Sequence, residues 1–272
     1  MAGTIRVGIG GWTFEPWRGV FYPEGLAQKR ELEFASRHVT AIEINATYYS
    51  SQKPESFAKW AAQAPAGFVF ALKASRFCTS RRLLAQSGDS IGRFLGQGLV
   101  ELGDKLGPIL WQFMATKRFD SDDFAAFLDL LPATVGGLPL RHCVEARHAS
   151  FADPAFVALC RKYGVAICLS ESAAWPLIAD PIADFVYARL MKGRDDIETG
   201  YEAAELDAWA NRLRAYARGE SPRDFALAEP DQPATGTDRD VFAFFISAGK
   251  IRAPAAAMAL IEKLGPAPPR TP

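Results

Sequence analysis

Residues 142–170 read HCVEARHASFADPAFVALCRKYGVAICLS, and they hold one complete strand, helix and strand unit. His142 to Arg147 alternates in side-chain character, as a half-buried strand does. Asp153-Pro154 then supplies an N-cap followed by proline at the first helical position, and Tyr163-Gly164 supplies a helix stop. Val165 to Ser170 is a second short apolar run. A helix between two such runs is the pattern of a βα repeat in a parallel arrangement.

The pattern extends in both directions. Upstream strands are expected at Ile5 to Gly11, Ala41 to Thr47, Phe68 to Ala74 and Pro108 to Phe113, and downstream ones at Phe185 to Met191 and Asp240 to Ser247. Helical periodicity covers Lys29 to His38, Pro54 to Gln63, Ile91 to Leu102, Ser121 to Leu131, Asp153 to Tyr163, Tyr201 to Arg218 and Pro254 to Leu264. Only Ala173 to Ala179 separates strand six from strand seven, and Pro176 interrupts it, so a truncated helix is expected there. Gly219 to Arg239 reads as a long surface loop and Gly265 to Pro272 as a frayed tail. Eight βα units over 1–272 predict one α/β domain, a (β/α)8 TIM-type barrel. An open doubly wound sheet is the competing arrangement. It would carry a Gly-rich dinucleotide fingerprint at its first turn, where Gly8-Ile9-Gly10-Gly11-Trp12 leads into aromatics instead.

Composition narrows the class. Hydrophobic residues make up 49% and charged residues 23% of the 272, which suits a globular chain with a full core. Lys plus Arg and Asp plus Glu balance at 31 each, so there is no broad basic field for duplex binding, although a local patch at Arg76, Arg81 and Arg82 leaves nucleic acid as a weak alternative partner. Neither a signal-peptide h-region nor a stretch of transmembrane length is present, and a cytoplasmic protein without a membrane partner is expected. Cys78, Cys143, Cys160 and Cys168 show no C-x-x-C spacing, which argues against disulfides and thiolate zinc.

Parity along each strand selects the side chains that share a face. Glu43, Asn45 and Thr47 oppose Ile42 and Ile44; Glu145 and Arg147 oppose Val144 and Ala146. Lys73 opposes Phe70 and Leu72, Gln112 opposes Trp111 and Phe113, and Arg189 opposes Ala188 and Leu190. The apolar sets are assigned to the helix side. Glu43, Asn45, Lys73, Gln112, Glu145, Arg147 and Arg189 then point into the barrel near the C-terminal strand ends, where this fold builds active sites. A network of paired charges that merely closes the mouth is the structural alternative.

These residues carry a resemblance. Gly10-Gly11-Trp12, Glu43-Ile44-Asn45-Ala46-Thr47-Tyr48-Tyr49, Pro65-Ala66-Gly67-Phe68-Val69-Phe70 with Lys73, Lys105-Leu106-Gly107-Pro108-Ile109-Leu110-Trp111-Gln112 and Val144-Glu145-Ala146-Arg147-His148 together resemble the YecE-like family, domain of unknown function 72. The resemblance implies a barrel, and through a distant likeness to endonucleases that repair abasic DNA it implies a nucleic-acid role by fold analogy alone. The chain departs from the family pattern at Ser80, where His is usual; at Gln112-Phe113-Met114-Ala115, in place of Gln-x-Pro-Pro; at Arg189-Leu190-Met191-Lys192, in place of Arg-x-His-Gly; and at Phe245-Ile246-Ser247-Ala248, in place of Phe-Asn-Asn. A divergent member is implied, with a changed substrate or a lost activity.

Among chemistries, a His-carboxylate metal site finds little support, since His38 and His142 sit away from the mouth and only His148 lies near it. Mg²⁺ on Glu43 and Glu145 would meet repulsion from Lys73, Arg147 and Arg189. The inventory instead suggests acid/base work without metal or cofactor on a small phosphate- or carboxylate-bearing substrate, with Glu43, Glu145 and Lys73 as catalytic candidates and Glu43 as first choice for the base. Arg147 and Arg189 would grip the anion, and Asn45 and Gln112 would orient it. Trp12 and Tyr48 are candidates for stacking at the rim, in loops whose Trp12, Phe14, Trp17, Phe21 and Tyr22 would alternatively form a satellite hydrophobic cluster. Glu171 would assist or stay solvated. Lys192-Gly193-Arg194 and Ser247-Ala248-Gly249-Lys250 would form a phosphate cup or two ordinary turns. The competing function class is a non-catalytic protein that binds nucleic acid or a phosphorylated ligand.

Overall fold

The computed structural model describes residues 2–230 and 236–265. Eight strands pair in parallel throughout: β1 (Ile5–Gly10), β2 (Ala41–Ile44), β3 (Val69–Lys73), β4 (Leu106–Gln112), β5 (His142–Glu145), β6 (Ala166–Glu171), β7 (Phe185–Lys192) and β8 (Asp240–Ala248). They close into a barrel in sequential order, β8 returning to β1 with Ile5 beside Val241 and Ile9 beside Phe245. This is the predicted (β/α)8 barrel. Thr134–Val135 and Leu138–Pro139 form a separate two-stranded antiparallel ribbon.

Among the described residues, seven helices of five or more residues pack outside: α1 (Glu31–Ala35), α2 (Pro54–Gln63), α3 (Gly88–Leu95), α4 (Ser121–Asp129), α5 (Pro154–Tyr163), α6 (Ala203–Ala217) and α7 (Ala253–Leu264). The ends of α5 are those expected. The Asp153 carboxylate accepts from the Ala155 N–H, and Gly164 stops the helix at φ 65°, a conformation that a side chain would oppose. None of the helices is long and apolar enough to cross a membrane, among the described residues.

Three expectations need correction. No helix forms between β6 and β7: residues 172–184 run as loop, because Pro176 and Pro181 each remove a backbone donor within a short connection. The helix expected over Ile91 to Leu102 ends at Leu95, since Gly98 takes φ 113°, and 3-10 turns continue to Lys105. Strand two stops at Ile44, where Asn45 enters helical geometry (φ −92°, ψ −16°) and starts a single turn, Ala46–Tyr49. Parity therefore ceases to apply at Asn45 and Thr47. Of the expected surface loop, residues 231–235 lie outside the described residues, as do 266–272 of the expected tail.

The core has two layers. Outside the sheet, aromatic residues such as Trp111, Phe113, Phe124, Phe127 and Phe156 pack against the helices. Inside it, Ala41, Val69, Ala71, Leu110, Cys143, Cys168, Tyr187 and Phe244 fill the lumen. All four cysteines are buried and free. His142 faces outward as parity requires. Its Nδ1 accepts from Trp111 Nε1 at 3.1 Å while Nε2 donates to the Pro132 carbonyl at 2.8 Å, an arrangement that suits the neutral ring. Burial lowers its pKa accordingly.

Ser247 is the exception in backbone geometry. It takes φ 74° at a bulge in β8, where an L side chain is strained by about 1–2 kcal/mol and asparagine or glycine much less so. Its side chain is exposed, so S247G and S247N remove little else. Each is expected to raise stability by about 1 kcal/mol, read as a Tm gain of about 2–4 °C. An unchanged or lower Tm for both would contradict the strain assignment.

Candidate functional site

Above the apolar lumen lies a layer of charge. Glu43 on β2 and Glu145 on β5 are fully buried, and Arg189 on β7, 2% exposed, stands between them. Arg189 Nε and Nη2 donate to Glu43 Oε2 and Oε1 at 3.1 and 3.0 Å, while Nη1 donates to Glu145 Oε2 at 2.7 Å. One guanidinium thus ties opposite sides of the barrel together, using the bidentate geometry that a lysine cannot supply. Tyr187 OH donates to Glu43 Oε2 at 2.7 Å, and Gln112 Nε2 to Glu145 Oε2 at 2.6 Å. Arg147 Nε and Nη2 reach Glu145 Oε1 at 3.2 and 3.0 Å, although β5 has already ended.

Burial by itself would raise the Glu145 carboxyl, but Arg189, Arg147 and the Gln112 amide outweigh it and hold the group down at about 2. The same pairing raises the pKa of Arg189 against its burial. Glu145 is thereby kept charged at neutral pH although it is fully buried.

Lys73, at the last position of β3 and 7% exposed, differs from its neighbours. Its ammonium lies 3.9 Å from the centre of the Tyr48 ring, and no hydrogen bond or ion pair engages it among the described residues. Burial and the nearby Arg189 lower its pKa to about 8, with Glu43 and Glu145 opposing the shift and Arg147 adding to it. Arg147, whose side chain is 21% exposed, rests 4.2 Å over the Trp175 ring on the β6–β7 loop. Lys73 and Arg147 are the two cations of the layer that retain contact with the outside.

The structure thus gathers Glu43, Lys73, Gln112, Glu145, Arg147 and Arg189, with Tyr48 against Lys73. It separates Trp12, which packs edge to face on Trp60 at 5.3 Å and on Phe70 at 6.4 Å in the outer layer. The β1 loop aromatics form the satellite cluster, with Trp17 Nε1 donating to the Lys250 carbonyl. Asn45 is half-buried and turns its amide to its own neighbour, the Glu43 carbonyl, at 3.4 Å. Glu171 is neither solvated nor free: Tyr201 OH and Trp209 Nε1 donate to it at 2.8 and 3.0 Å, fastening α6. His148 caps a turn through the Ser150 N–H. The loops after β7 and β8 press together, since a Cβ on Gly249 would come within 2.4 Å of Gly193.

Two participants were missed. Tyr187 lies two residues before Arg189 and shares its face, so parity would have found it. Ser170, whose hydroxyl is 3.4 Å from Glu145 Oε1, lies in register with Arg189 at the end of a run that reads as apolar in sequence.

A closed parallel barrel whose C-terminal mouth is built from buried, arginine-bridged carboxylates defines a TIM-type barrel protein with a polar site at the usual end. Within that class, residues 6–272 match the family described as "Protein of unknown function DUF72", and the chain belongs to that family. It is 27% identical over 158 residues to UPF0759 protein YunF of Bacillus subtilis, covering 56% of this chain and 54% of that protein. It is 28% identical over 150 residues to UPF0759 protein YecE of Escherichia coli K12, covering 54% and 50%. The chain thus matches about half the length of these curated relatives. A crystal structure of a DUF72 family protein, TM1631 from Thermotoga maritima, superposes with a TM-score of 0.69 over 94% of this chain and 96% of that one, at 21% identity, which supports the shared fold.

Proposed function

We propose that the barrel mouth is an enzyme active site performing acid/base chemistry on a small anionic substrate, with Lys73 as the group that transfers the proton. The observation that carries this reading is the state of Lys73: buried, unpaired by any carboxylate among the described residues, and lowered to about 8. A lysine near that value divides between amine and ammonium at working pH, which is what a proton-transfer group requires. Glu43 was the first choice from sequence. Its two oxygens accept from Arg189 and Tyr187 and are closed to solvent, so it serves better as the partner that orients Arg189.

Arg147 is the anion-gripping residue in this scheme. Its Nη1 is left over after Glu145 has taken Nε and Nη2, and the Trp175 ring holds the guanidinium plane in place. Tyr48 forms the floor beneath the Lys73 ammonium. Arg189 already occupies the space between the two carboxylates where a metal cation would have to sit, which favours a metal-independent reaction. The test is competitive amine labelling of the native protein across pH 6 to 11, read by peptide mass spectrometry. Lys73 should reach half-labelling near pH 8, against about 10.5 for an ordinary lysine, and K73M should abolish turnover of any phosphate or carboxylate substrate found by screening. Labelling of Lys73 in step with exposed lysines would refute the proton-transfer role. A ligand bound equally well by K73M and never turned over would support the binding-protein reading instead.

A further inference from the structure

A second concave site lies beside the mouth, between the loop that follows β3 and helix α3. It encloses about 330 Å³, and Thr47, Ser75, Phe77, Arg81, Ser90 and Arg93 supply most of its wall. No carboxylate lines it. Two guanidinium groups therefore share one hollow without an acidic partner. Among the described residues, Arg81 Nη2 reaches only the Ser90 hydroxyl, at 3.5 Å, and Arg93 Nε only the Asp89 carbonyl, at 3.2 Å. Ser90 is buried, sits one helical turn before Arg93 and lines the same hollow as both arginines.

One wall is aromatic. Phe77 is 55% exposed at the edge of this hollow, on a one-turn helix (Arg76–Thr79) where its own N–H donates to the Ser75 hydroxyl at 3.4 Å. The Arg76 guanidinium lies 5.2 Å from the centre of the ring, and the exposed remainder of the ring offers a surface on which a planar group can stack. Thr47 also lines the hollow, and its hydroxyl donates to the Lys73 backbone carbonyl at 2.7 Å, which ties the hollow to the end of β3.

We propose that this hollow is a second anion-binding site, distinct from the barrel mouth, that takes a phosphomonoester bearing a planar ring. Arg81 and Arg93 hold the phosphate by fork contacts, Ser90 and Ser75 supply hydroxyls, and Phe77 packs on the ring. The sequence showed Arg76, Arg81 and Arg82 as a local basic patch. The fold replaces that set with Arg81 and Arg93, twelve residues apart in the chain and joined only by the packing of α3.

The experiment is calorimetric titration of the whole chain with phenyl phosphate and with inorganic phosphate, repeated for R81Q/R93Q, F77A and K73M. Both arginines and Phe77 are exposed, so these variants should fold; near-UV circular dichroism checks that they do. Saturable binding of phenyl phosphate is expected, tighter than inorganic phosphate and weakened at least about tenfold in R81Q/R93Q. F77A should bring phenyl phosphate down to the affinity of inorganic phosphate, and K73M should leave both unchanged. Absence of saturable binding, or parent-like binding by R81Q/R93Q, would overturn the proposal. So would equal effects of F77A on the two probes. Loss of binding in K73M with retention in R81Q/R93Q would place the anion in the barrel mouth, which rejects this site and leaves the proposed active site standing.

Discussion

Replacing Arg189 with methionine should destabilise the protein by roughly 3–5 kcal/mol or more, because it leaves two buried carboxylates without their shared counter-charge. Glu43 would keep only the Tyr187 hydroxyl, while Glu145 would keep Arg147, Gln112 and Ser170. For a chain of this size, such a loss corresponds to a Tm drop on the order of 10 °C. R189K tests geometry separately from charge: an ammonium cannot donate to three carboxylate oxygens in one plane, so most of the loss should persist. Neutralising the stranded acids as well, in R189M/E43Q/E145Q, should recover a substantial part of it. If R189M melts within about 2 °C of the parent, the network is not holding the barrel together and the charge layer requires another explanation.

Acid should act through Glu145. Its carboxyl is held at about 2 in the fold, against 4.5 for the same group unperturbed, so the unfolded chain binds the proton first as pH falls. Stability from this group is fully present above about pH 4.5 and is lost as pH falls toward 2; a shift of that size is worth roughly 3 kcal/mol. E145Q should therefore cost roughly 3 kcal/mol at pH 7, and the gap between parent and variant should narrow steadily below pH 4.5. Urea unfolding midpoints at pH 7, 5, 4 and 3 measure this directly. A gap that stays constant to pH 3 would mean that Glu145 stabilises by packing and not by charge. The same variant bears on function, since losing one of the two acids that oppose the Lys73 shift should drive that lysine further below its ordinary value.

Most of the site was legible because a strand side chain has only two faces. Ile42 and Ile44 against Glu43, and Ala188 and Leu190 against Arg189, settle which side is polar without any tertiary information. The inference failed where the strand ended early. Asn45 was assigned the parity of β2, yet it already has helical geometry, and its amide serves the backbone. Arg147 is a different case. It lies past the end of β5 and reaches Glu145 because a long side chain can fold back over two residues. Trp12 could not be assigned from sequence at all, since a loop has no periodicity to fix its direction.

The sequence by itself determined eight parallel strands and most of the polar side chains that face inward. Both follow from local rules, namely the period of two in strands, helix caps such as Asp153-Pro154, and stops such as Gly164. It could not determine how those charges are shared. That Arg189 is consumed by Glu43 and Glu145 while Lys73 is left without a carboxylate depends on distances across a closed barrel, between residues 146 and 44 positions apart in the two ion pairs. The pairing of Arg81 with Arg93 in one hollow has the same origin. Charge pairing is decided by distances of a few ångströms across the fold, and only closure of the sheet and docking of α3 set those distances.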